Sequence, residues 1–175
     1  MMKHGRPHRS VAQPGSAPDL GSGGQRFESS RSDQFYEDSA AAAEAVASVL
    51  TPDLLKPEWR AEAERSGNPV AGHCYAAAEA VYHLCGGAEA GWVPQVLTHA
   101  TFPDELAPGQ THWFLKNRIT GELVDPTQGQ FDSAPPYGLG RGTGFLTAGP
   151  SRRAAVIIER VLAMDAVARP SLPGM

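Results

Sequence analysis

No apolar run in the chain approaches the ~18 residues that a membrane-crossing helix needs, so no spanning helix is expected. The 175 residues include only two cysteines, too few for a disulfide framework. Cys74 and Cys85 fall in one predicted helix, where a rise of 1.5 Å per residue sets them roughly 16 Å apart, beyond the disulfide reach of about 7 Å. There is no basic excess either: 15 Lys+Arg face 19 Asp+Glu, a net charge of −4. A surface built for phosphates needs the opposite balance, so nucleic acid is not an expected partner. The N-terminus has basic residues with no apolar stretch behind them, which does not read as a secretory signal. Two reduced thiols and no export signal imply a cytoplasmic protein. No motif calls for a cofactor or a resident metal.

Residues 1–33 are rich in Gly, Ser, Pro and Arg and have no periodic apolar positions. Such a segment cannot bury enough surface to offset its ordering entropy and is expected to be disordered. The stretch SVAQPGSAPDLGSGGQRFESSRSD, residues 10–33, also reads as a transfer-RNA gene translated as protein. Residues 12–17 can be encoded by a D-arm-like sequence. Residues 25–29 can be encoded by one containing the T-arm consensus GGTTCGAATCC, and the anticodon arm would fall on residues 19–24. On this reading the segment is not native protein, and the true start lies nearer the domain. Transfer-RNA genes are common integration points, which hints at a phage or mobile element. Without residues 1–33 the net charge is −6.

Residues 34–167 read as a single α+β domain, with a loose tail at 168–175. Residues 34–50 are alanine-rich and helical by propensity. Thr51-Pro52 and Lys56-Pro57 carry helix-start signatures, the second opening a short helix to Arg65. Residues 74–84 repeat apolar positions at helical spacing, with Cys85-Gly86-Gly87 as the stop. Residues 92–99, 111–116 and 122–125 have strand composition, and NRITG makes a hairpin of the last two. Residues 128–141 form a long Pro- and Gly-containing loop, the kind that often covers a site. A last helix runs from Pro150-Ser151 to about Val167. The layout is helices packed on one face of a small antiparallel sheet.

Cys74, His112 and Asp125 form the constellation with chemistry. A thiol needs activation, and a helix N-terminus and a nearby imidazole can both supply it. Cys74 starts a predicted helix, His112 lies on a strand, and Asp125 ends the next strand. If the hairpin closes with Asn117 opposite Glu122, His112 and Asp125 share a face as diagonal neighbours roughly 7 Å apart at Cβ. An odd loop would place them on opposite faces. On the shared face, Asp125 could orient the imidazole through its second nitrogen.

The residues Gly72-His73-Cys74, His112-Trp113 and Asp125-Pro126-Thr127 resemble the papain-like superfamily, most closely its transglutaminase-like branch. The pattern GHCY…HWFL…VDPT…QF also resembles the small YunG-like proteins of bacteria and phages. These resemblances imply a helix-on-sheet core and a Cys-His-Asp site, and leave the substrate open. Tyr75 departs from the Trp that many relatives carry after the cysteine. Asn68 is a candidate oxyanion-hole donor, beside the backbone N–H of Cys74. Arg141, in GLGRGTGF, is a candidate for an anionic substrate or a solvated loop residue.

Two functions follow. One is a thiol-dependent hydrolase or acyltransferase acting on an amide or ester, on a small molecule or a protein, through a thioester. The other is a catalytically silent binding or accessory protein of a phage or mobile element, with Cys74 as a packed small hydrophobe. Cys85 reads as structural. His73, Cys74, His99 and His112 match no common zinc spacing.

Overall fold

Asp38 begins the ordered helical layer. In the computed structural model, which describes residues 36–168, its carboxylate accepts from the backbone N–H groups of Ala40 and Ala41 at 2.9 and 3.2 Å. This N-cap starts helix α1 (Ser39–Ser48) later than alanine content alone suggested, because the cap rather than propensity sets the first turn. Expectations for residues 1–33, and for the tail beyond Ala168, lie outside the described residues. A short 3-10 turn (Pro52–Leu54) and helix α2 (Pro57–Ser66) follow, each with proline in its first turn.

Helix α3 (Cys74–Leu84) has the bounds the sequence pattern gives. Ala76, Ala77, Ala78, Ala80 and Val81 are all buried, because small side chains let α1, helix α4 (Arg152–Ala168) and the sheet close in around it. Glu79, also buried, accepts from the N–H and hydroxyl of Ser151 and so ties α3 to the start of α4. Gly72 makes the entry to α3. Its φ is +78°, and a Cβ there would sit 3.3 Å from Leu55 Cδ2, so a side chain would be both strained and crowded.

The sheet is antiparallel, in the order β3-β2-β1-β4, built from β1 (Trp92–Thr98), β2 (Thr111–Asn117), β3 (Leu123–Val124) and β4 (Arg141–Gly142). The two-residue strand β4 was not expected, since so short an edge pairing leaves no period to read. The β2–β3 pairing is Leu115 with Val124 and Lys116 with Leu123, and the Asn117 N–H donates to the Glu122 carbonyl at 2.8 Å. This even closure puts His112 and Asp125 on the same side.

Alternation along β2 divides the interior. Trp113 and Leu115 join the helical core of α1, α3 and α4. Phe114 joins a second cluster with Leu97, Phe102 and Leu106, closed over by Phe131 and Tyr137 from the 128–141 loop. Helices thus cover one face, and loops cover the other. Gly140 allows the loop to approach, since a Cβ there would lie 2.5 Å from Phe114 Cζ. Among the described residues, no helix is long and apolar enough to cross a membrane.

Candidate functional site

His112 is fully buried on the loop-covered face, one residue inside the start of β2. Its ring lies between Phe114, stacked at 6.4 Å, and Phe131, edge-on at 4.7 Å. The Nε2 atom is 2.6 Å from Asp125 Oδ2, and both side chains are almost completely buried. Asp125 is itself well held. Its Oδ1 accepts from the Thr127 N–H at 2.9 Å and the Thr127 hydroxyl at 3.2 Å, and its Oδ2 accepts from the Tyr137 hydroxyl at 3.0 Å. These three donors fix the carboxylate in place beside the ring.

Burial works against a charged ring at His112. The hydrogen bond and charge of Asp125, with the neighbouring Cys74 side chain, outweigh it and lift the imidazole from 6.5 to about 9. Burial and the Asp125 carboxylate also hold the Tyr137 phenol well above its ordinary range, which keeps it a donor.

Cys74 reaches this pair around the end of β2 rather than through the sheet. It is the first residue of α3, on the helical side, and its sulfur is 3.7 Å from the Thr111 carbonyl. His73, which precedes it, supplies no side-chain cap, so the first-turn N–H groups of α3 remain as a positive end beside the sulfur. With Nε2 engaged by Asp125, Nδ1 is the nitrogen that Cys74 can use. Cys74 is partly exposed, in a cavity of about 460 Å³ walled by Trp59, Tyr75, Trp113 and Phe131. Cys85, by contrast, is buried, and burial first, then the charges of Glu122 and Asp38, push its thiol up to about 12.

The structure therefore brings Cys74, His112 and Asp125 together. Asn68 lines the same cavity, but its amide is engaged: Nδ2 donates to the Gly129 carbonyl at 2.9 Å, and Oδ1 accepts from the Val70 N–H at 3.1 Å. It tethers the segment that carries Gln130. Arg141 is exposed on β4, paired with Val96, and is not among the residues lining the cavity. Among the described residues, no group of three or more His, Cys, Asp or Glu side chains is arranged to hold a metal ion.

Sequence reasoning did not assign roles to Gln130, Thr127 and Tyr137. Thr127 had a readable signal, because an Asp accepting from the N–H two residues on is a local turn preference. Gln130 and Tyr137 arrive from irregular loop, where spacing carries no geometry. Gln130 Nε2 lies 3.1 Å from His112 Nδ1, and Gln130 also lines the cavity. His73 faces away into the interior. It is buried, neither ring nitrogen has a partner among the described residues, and burial first, then Arg153, lower it to about 4. Comparison with family models, curated proteins and solved structures finds no match for this chain.

Proposed function

We propose that the protein is a thiol-dependent acyl hydrolase or acyltransferase with a core of the papain-like, transglutaminase-like kind, akin to the YunG-like proteins. The observation that carries this reading is the buried His112–Asp125 pair at 2.6 Å, set beside a cavity-lining cysteine at a helix N-terminus. A packing role for Cys74 alone does not require a buried, fully oriented imidazole next to it.

In the proposed reaction the Cys74 sulfur bonds to the carbonyl carbon of an amide or ester, and its proton passes to His112 Nδ1. The Cys74 backbone N–H stabilises the developing oxyanion. The C–N or C–O bond then breaks, and the leaving amine or alcohol takes the proton from His112. The resulting thioester is opened by water or an amine, which returns its proton through His112 and restores the thiol. Asp125 holds the ring and offsets its charge throughout.

A second reading is a catalytically silent binding module. The Cys74–Thr111 contact favours it, because the thiol donates there to a backbone carbonyl. Iodoacetamide alkylation of the native protein, with peptide mapping, separates the two. The enzyme reading predicts labelling of Cys74 at neutral pH, none of Cys85, and loss of Cys74 labelling in His112→Ala. Labelling of Cys74 only after unfolding would establish the silent module.

A further inference from the structure

The cavity beside Cys74 is one-sided in charge. Among the described residues that line it, Glu62 and Glu105 are the only Asp, Glu, Lys or Arg side chains. Glu62 is matched by Arg65, three residues on along α2. Glu105 takes part in no ion pair among the described residues. The Ser133 hydroxyl and the Ser133 N–H, 2.9 Å away, both donate to its Oε1 and hold its carboxyl below the ordinary carboxylate range. At neutral pH the wall therefore carries a fixed negative charge without a cation beside it.

His112 does not alter this balance. Its value of about 9 leaves the ring charged at neutral pH, but it is buried against Asp125 and is not on the cavity wall. Arg141 lies on the exposed edge strand, away from the cavity. A substrate carboxylate or phosphate would give up water here and find no cation to receive it.

The rest of the wall favours the opposite charge. Trp59 and Glu62 are three residues apart on α2 and share a face. The Trp59 Cβ lies 3.5 Å from where a Cβ on Gly72 would sit, two residues before Cys74. Tyr75 and Trp113 meet edge-on at 4.8 Å, and Phe131 stands on the loop side of the same cavity. Aromatic rings beside a carboxylate are the surroundings that hold an ammonium or a guanidinium.

We propose that the cavity selects acyl substrates carrying a cationic group, with Glu105 as the residue that sets this preference, and that it rejects anionic ones. The inference rests on the thiol-enzyme reading and adds its substrate class.

The test compares three esters of one shape: p-nitrophenyl 4-guanidinobenzoate, p-nitrophenyl benzoate and p-nitrophenyl 4-carboxybenzoate. Release of p-nitrophenolate gives the rate, and peptide mass spectrometry places the acyl group on Cys74. Dividing each rate by that with 2-mercaptoethanol removes differences in intrinsic reactivity. The cationic ester should exceed the anionic one about tenfold at low salt, a severalfold gain and a severalfold loss at one partly exposed charge. High salt should shrink the ratio. Glu105→Gln keeps an oxygen for Ser133 and should bring the ratio close to one. Glu89→Gln, an exposed carboxylate outside the cavity, should leave it unchanged. The salt dependence in wild type tests the proposal without any variant, and acylation of Cys85 marks a variant that has lost its fold. His112-dependent acylation of Cys74 with no cation preference, or with a preference that survives Glu105→Gln, overturns the substrate class and leaves the enzyme reading standing. Acylation of Cys74 that ignores His112, or none with any ester, overturns both.

Discussion

Replacing Asp125 with asparagine keeps the side chain's size and removes its charge. The amide oxygen can still accept from the Thr127 N–H, while Nδ2 takes the position that faces His112. That atom donates where a carboxylate accepts, so the Nε2–H of His112 loses its acceptor. Burial of the ring then acts without its main counterweight, and His112 should titrate below 6.5 instead of near 9. The wild-type gap between those values corresponds to about 3 kcal/mol of preference for the charged ring in the folded state. The folded protein holds this proton more tightly than the unfolded chain. The stabilisation is therefore fully present below pH 6.5 and is lost as pH rises through 9. NMR of labelled histidine gives the midpoint, and urea denaturation across the same range gives the stability. Wild type should lose about 3 kcal/mol more than Asp125→Asn between those limits, since other groups titrate alike in both. A wild-type His112 midpoint near 6.5, or parallel stability curves, would refute the reasoning.

Three further outcomes follow from the same packing. Tyr137→Phe removes one donor from the buried Asp125 carboxylate and should cost about 1–3 kcal/mol in urea melts, with the His112 midpoint moving upward. His73 has its folded value depressed to about 4 from 6.5, so its contribution is present above 6.5 and lost as pH falls toward 4. Its loss amounts to at most about 3 kcal/mol, and His73→Leu should flatten the acid limb of the stability curve. Gly140→Ala places a methyl 2.5 Å from Phe114 Cζ. The forced shift should destabilise the fold by about 1–3 kcal/mol, read by thermal melts, and lower His112-dependent labelling of Cys74.

The parts of this molecule that were legible in its sequence are those with a period. The run from Cys74 to Leu84 shows its helical repeat and its Gly-Gly stop, and the structure places the helix on those residues. The hairpin could be tested by parity, and Asn117 does meet Glu122, which puts His112 and Asp125 on one face. That argument required no knowledge of the rest of the fold. The start of α1 was misplaced because alanine propensity has no edge, whereas the Asp38 cap has one. Strand β4 escaped because two residues cannot display alternation. The 128–141 loop was recognisable as a long cover, yet its contributions to the site were not. Gln130 and Tyr137 reach His112 and Asp125 through two short 3-10 turns and a close pass at Gly140, and none of these leaves a spacing rule in the chain. Asn68 and Arg141 were equally plausible as polar loop residues. Only tertiary packing places one in the cavity as a tether and the other on an exposed edge strand.

The central claim is that Cys74 carries an acyl group, and an activated ester tests it most directly. Native protein treated with p-nitrophenyl acetate and analysed by intact-protein and peptide mass spectrometry should gain one acetyl group on Cys74. Neutral hydroxylamine should remove it, as expected of a thioester, and His112→Ala should not acquire it. Acetylation confined to lysines, or a Cys74 adduct that forms equally well without His112, would contradict the account.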